Sequence, residues 1–116
     1  MPKNRDLESL IDIAFYGRQA LAFVGDFTQD EFERDGKTQA AVMYAIAIMG
    51  EATKRLSQDF RLQYPLIPWQ EIAGIRDRLV HDYKNIDLDI LWQVVSVEIP
   101  SLLVSLEPLL PEEDGD

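Results

Sequence analysis

An all-α, up-and-down bundle of four to five helices is the fold this sequence predicts, and three observations predict it. Apolar residues recur with a helical period over almost the whole chain. Helix-start residues stand ahead of most of the periodic stretches. No stretch alternates apolar and polar residues around hairpin turn chemistry, as paired strands would. The length of 116 residues suits one domain. With 47% hydrophobic and 28% charged residues, the composition is that of a soluble globular protein. Residues 5–110 read as the helical domain and 111–116 as an acidic tail.

The first helix is expected from Arg5 to Val24, with Asn4 as N-cap and an apolar face of Leu7, Leu10, Ile11, Ala14, Leu21 and Val24. The run "TQDE", Thr28 to Glu31, has the spacing of a capping box and opens a short helix. A long helix follows from Lys37 to Ser57. Its segment "AAVMYAIAIM", Ala40 to Met49, is apolar on every side and must be covered all round. Pro65 and Pro68 break the chain in "YPLIPW", and Pro68 suits the first turn of a helix from Trp69 to about Val80. Ile72, Ile75 and Leu79 form its core stripe. Asp87 caps a last helix, Leu88 to about Leu106, which Pro100 should kink. Its segment "ILWQVVSVEI", Ile90 to Ile99, is again apolar all round. Two such helices in so small a domain predict a homodimer or larger homo-oligomer with these helices in its interface.

Composition bounds the function. No apolar run approaches the roughly 20 residues that span a bilayer, and the charged N-terminus lacks a signal core. A cytoplasmic protein without membrane contact is expected, and the absence of cysteine fits a reducing compartment. The net charge of −10 argues against a general nucleic-acid coat protein. Half of that charge lies in residues 107–116, whereas Gly74 to Lys84 is locally positive. One histidine, no cysteine and dispersed carboxylates form no metal-ligand cluster, so neither metal nor cofactor is expected.

The only histidine lies in "GIRDRLVHDY", Gly74 to Tyr83. On a straight helix Asp77 and His81, four apart, share a face, and the carboxylate can fix the imidazole tautomer. Arg78 is three residues from His81 and also close. Arg76 and His81 are five apart, about 140° around the cylinder, and converge only if the helix ends or bends near His81. The chemistry that fits is phosphodiester cleavage. A histidine moves a proton at a ribose 2′-OH or a leaving 5′-oxygen, and an arginine fork holds the phosphate. A two-fold dimer would bring two copies of His81 to one cleft, one acid and one base. The bland alternative makes His81 a helix C-cap and leaves Arg76 and Arg78 paired with Asp77 and Asp82 on the surface. Glu51 reads as a structural partner of Arg55, or else as a neighbour supporting Arg76. Tyr44 reads as core or interface, and Trp69 and Trp92 as core anchors.

The segment "IPWQEIAGIRDRLVHDY", Ile67 to Tyr83, resembles the signature of the HepT-like branch of the HEPN superfamily, R-x4-H-x-Y, here Arg76, His81 and Tyr83. "IMGEATKRLS", "RDLESLIDIA" and "PSLLVSLEPLL" fit as well, and the likeness covers residues 5–110. The resemblance implies a dimeric helical bundle that acts as a metal-independent endoribonuclease, the toxin of a type VII-like toxin–antitoxin pair. It makes Arg76 and His81 the catalytic residues with Asp77 supporting, and Arg78, close to His81 by spacing, counts as a further supporting residue. It makes Tyr83 the residue that an MNT-type nucleotidyltransferase antitoxin modifies with AMP, blocking RNA by bulk and charge. The rival reading keeps the fold as a non-catalytic module that binds a nucleotidyltransferase or a nucleotide. The chain itself is no nucleotidyltransferase, since it lacks their Gly-Ser turn, paired aspartates and strands.

Overall fold

The computed structural model of this chain describes residues 4–80 and 85–111. Its helices are α1 (Asn4–Val24), α2 (Gln29–Glu33), α3 (Gly36–Lys54), α4 (Gln58–Gln63), α5 (Trp69–Ala73), α6 (Ile75–Leu79), α7 (Leu88–Gln93) and α8 (Ile99–Leu106). A π-helical segment, Val94–Glu98, joins α7 to α8, and a 3-10 turn, Glu107–Leu109, follows. The all-α bundle is therefore built from three long rods, α1, α3 and the continuous Leu88–Leu109 helix, with four short helices packed between them.

α1 and α3 run antiparallel, because Asp6 meets Ser57 while the rings of Tyr16 and Tyr44 stack edge-on at 6.3 Å. The last rod crosses α1 at Gly17, where an added Cβ would stand 3.1 Å from Leu103. Leu10, Ile13, Val42, Ile46, Met49, Leu79, Leu91, Val94, Ile99 and Leu106 are sealed between the rods. One expected core position differs. Ile11, placed on the inner face of α1 by the sequence, is 43% exposed, and Ile13 is buried instead. In α3, Val42, Ala45, Ile46 and Met49 are buried while Tyr44 stands out at 62% exposure, so the apolar circumference is not covered within one chain.

Local chemistry explains most of the boundaries. Thr28 and Glu31 form the reciprocal capping box of α2. Asp35 caps α3 through the Thr38 N–H, and Asp87 caps α7 through the Ile90 N–H. The predicted long helix to Ser57 ends earlier, at Lys54. Ser57 is instead the N-cap of α4: its hydroxyl accepts from the Phe60 N–H at 3.1 Å. The buried Asp6 carboxylate holds that cap, accepting from the Ser57 N–H at 2.7 Å and from its hydroxyl at 2.8 Å. Trp69 and Trp92 are packing residues. Trp69 is buried and donates its indole N–H to the Tyr64 carbonyl, while Trp92 lies against Phe32.

Pro100 acts where a kink is predicted, and the result is the π segment. An α-helix would need the missing Pro100 N–H to bond the Ser96 carbonyl, and the ring would press on that oxygen. The wider turn relieves this: Ile99 donates to the Val94 carbonyl, five residues back. The Ser96 hydroxyl meanwhile donates to the Trp92 carbonyl at 2.6 Å. Contrary to the sequence expectation, Leu88–Leu109 is long and apolar enough to cross a membrane by length and composition. Part of that apolar surface is buried, while Val97 and Val104 remain exposed. Leu91, Val94, Val95, Ile99, Leu102 and Leu106 line the core.

Candidate functional site

The motif helix is not one rod. Gly74 separates α5 from α6, and α6 ends at Leu79, after which Val80 is extended at φ −104°, ψ 109°. Val80 bridges Ile86 in antiparallel fashion, and the Asp87 N–H donates to the Leu79 carbonyl at 2.9 Å. This is the only strand-like pairing among the described residues. The helix thus stops before His81, the condition under which Arg76 and His81 can converge. Helical spacing between Asp77 and His81 cannot be used past Leu79. His81 and Tyr83 themselves lie outside the described residues.

Arg76 and Asp77 sit exposed on α6 and open onto a cavity of about 110 Å³. Across from them α3 contributes Ala47, Gly50, Glu51 and Lys54, and α5 contributes Ala73. Gly50 makes the crossing close. A Cβ there would lie 3.3 Å from the Ala73 carbonyl oxygen and 3.5 Å from that of Ile72. The lining thus combines three small residues, Ala47, Gly50 and Ala73, with four charged side chains. Among the described residues neither Arg76 nor Asp77 has an ion-pair partner. Arg76 thus lines the groove without a partner among the described residues.

Arg78 is differently placed. It grips Glu98 of the π segment through two bonds, 2.9 and 3.1 Å, across twenty residues of sequence. Those hydrogen bonds raise the Arg78 pKa above its ordinary value; slight burial opposes them, and the charges of Glu98 and Glu71 add to the rise. The Arg78–Asp77 pairing of the bland alternative is replaced by this bridge, and Asp82 lies outside the described residues. Glu51 does not pair with Arg55 either; its carboxylate is 3.5 Å from Lys54. The sequence alone assigns Lys54 and Gly50 no role in a site; their only signal is their place on the helix before the motif. Among the described residues no three His, Cys, Asp or Glu side chains gather as a metal-ligand set.

Helical fold and motif together define a class, the HEPN-type ribonucleases, and the comparisons with known proteins agree. Residues 13–109 match the family model described as Ribonuclease HepT-like. A Methanocaldococcus jannaschii chain provisionally named an RNase is 36% identical over 116 residues, covering 100% of this chain and 96% of that one. The "Probable ribonuclease HepT" of Thermococcus cleftensis is 40% identical over 111 residues, covering 92% and 97%. No solved structure matches the chain. The chain belongs to the ribonuclease HepT-like family.

Proposed function

We propose that this chain is a metal-independent endoribonuclease and the toxin of a type VII-like pair, with Arg76 and His81 as catalytic residues of a cytoplasmic homodimer. The observation that carries the reading is Arg76: an exposed guanidinium at a groove, without an ion-pair partner among the described residues, five residues before the only histidine of a ribonuclease-family chain. In the proposed reaction one His81 takes the proton of a ribose 2′-OH as that oxygen attacks phosphorus. The bond to the 5′-oxygen breaks, and His81 of the second subunit protonates the leaving oxygen. Arg76 holds the phosphate and offsets the charge that builds on it. Asp77 supports the site from the same groove.

A dimer is supported by an exposed apolar face that adjoins this groove. Phe15 and Ile11 are 48% and 43% exposed on α1, and the Phe15, Tyr16 and Tyr44 rings form a chain of edge-on contacts. From Tyr44 the surface of α3 runs one turn on to Ala47, which already lines the Arg76 groove. A second copy seated on this face would bring two grooves together. Tyr83 is the proposed site of AMP transfer by an MNT-type nucleotidyltransferase, the antitoxin partner.

The test is cleavage of RNA by the purified chain in EDTA. A 2′,3′-cyclic phosphate and a 5′-OH are expected, with activity lost in His81→Ala and lowered roughly 10²–10³-fold in Arg76→Ala, by analogy with oxyanion donors. A strict need for Mg²⁺, or a 3′-OH product, contradicts the mechanism. A parent chain that binds a nucleotidyltransferase and never cuts RNA supports the interaction-module reading instead.

A further inference from the structure

We infer that Lys54 is a second phosphate contact of the Arg76 groove, holding a non-scissile phosphate of the RNA strand. The inference rests on the ribonuclease reading and adds a residue to its substrate site. Lys54 lies in the last turn of α3 and lines the same cavity as Arg76. The uncharged residues of that lining, Ala47, Gly50 and Ala73, are all small. The close approach at Gly50 holds α3 against the end of α5, three residues before Arg76.

The present partner of Lys54 is replaceable. Its contact with Glu51 is 3.5 Å long, and the two side chains are 58% and 69% exposed. Exposed pairs of this kind contribute little, since water screens them and both side chains lose rotamer freedom. Glu51 keeps the ammonium at the groove in the free protein, and a phosphate oxygen can take its place as partner. RNA carries one negative charge per nucleotide, so a strand whose scissile phosphate sits at Arg76 brings neighbouring phosphates along the groove. Lys54 suits such a neighbour, because an ammonium accepts many contact geometries where a guanidinium fork demands one. Glu51 and Asp77 line the same groove and disfavour a phosphate beside them, so the favourable positions are those next to Lys54 and Arg76. A contact made equally in ground state and transition state lowers KM and leaves kcat alone.

The experiment compares parent, Lys54→Gln and Lys54→Arg in two measurements. One is steady-state cleavage of a single-stranded RNA. The other is binding of that RNA against salt concentration, with each chain also carrying His81→Ala so that nothing is cut. Lys54→Gln is expected to raise KM about 10-fold with kcat nearly unchanged, the loss of one charged hydrogen bond. Its plot of log K against log salt should be shallower by about 0.7, the share of one phosphate contact on a single strand. Lys54→Arg should restore both. A parent that cleaves RNA while Lys54→Gln matches it in KM and salt slope overturns the inference and leaves the ribonuclease reading standing. A lowered melting temperature with an unchanged slope also overturns it, since that assigns Lys54 to the helix C-terminus alone. A parent that neither cleaves nor binds RNA removes the ribonuclease reading, and this inference with it.

Discussion

Replacing Gly50 by alanine sets two effects of known sign against each other. In an open helix interior the exchange stabilises by about 0.8–1.0 kcal/mol, because glycine loses more backbone freedom on folding. Here the new methyl would stand 3.3 Å from the Ala73 carbonyl oxygen and 3.5 Å from that of Ile72. Both are backbone atoms at the end of α5 and cannot rotate aside, so α3 and α5 must part by a few tenths of an ångström. Overpacking of this sort costs about 1–3 kcal/mol, which leaves a net loss of about 0–2 kcal/mol. At roughly 4 °C per kcal/mol for a domain of this size, the melting temperature falls by up to about 8 °C. Gly50→Val adds two further methyls and a poorer helix former, so it should lose more. Gly36→Ala is the control, since nothing stands within 4 Å of a Cβ at that position. Ala73 is three residues from Arg76, so the same displacement moves the guanidinium, and RNA cleavage should slow about 10-fold even where the fold persists. Thermal denaturation followed by circular dichroism, alongside cleavage assays, reads both effects. If Gly50→Ala gains the full propensity increment and Gly50→Val is tolerated, the close crossing does not constrain the site and the reasoning fails.

Asp6→Ala removes two charge-assisted bonds to Ser57, and should cost about 3 kcal/mol in urea denaturation; a loss under about 0.5 kcal/mol would show the carboxylate to be dispensable. Tyr44→Asp puts a charge in the exposed aromatic face, and light scattering should report a monomer where the parent is a dimer. An unchanged dimer would move the interface elsewhere, to the Leu88–Leu109 rod with its exposed Val97 and Val104. Tyr83→Phe should still cut RNA but resist silencing by the nucleotidyltransferase with ATP; covalent silencing of that variant would direct attention to Tyr16, Tyr44 and Tyr64.

Where structure depends on a few neighbouring residues, the sequence was readable. The Thr28–Glu31 box, the Asp87 cap and the Pro100 disturbance each involve atoms within five residues of one another. Ser57 reads as helical because the periodicity carries through it, whereas the group that fixes it as a cap, Asp6, is 51 residues away. Arg78 was grouped with His81 on spacing, whereas Glu98 reaches it from another rod. The break at Gly74 was hidden for a related reason: Ile72, Ile75 and Leu79 keep a helical rhythm on both sides of it, and all three are buried. Arg76 was identified by motif, but its lack of an ion-pair partner among the described residues and the α3 side chains facing it are tertiary facts. Gly50 could not be recognised as a contact residue, since nothing in a helix sequence says which backbone will cross it.

The Asp6–Ser57 link also bears on the order in which this molecule assembles. Six residues are too few to hold a helix alone, because the cost of nucleation is not recovered over so short a span. α4 must therefore borrow its first turn from the carboxylate on α1, which arrives only after the intervening chain has closed into the α1–α3 hairpin. α4 becomes a late, dependent element, a reporter that the hairpin has already docked. A chain beginning after Asp6 would lose the start of α4 as well as a few residues of α1. The damage would surface some fifty residues downstream, where Phe60 braces Trp69 at the entrance to the motif.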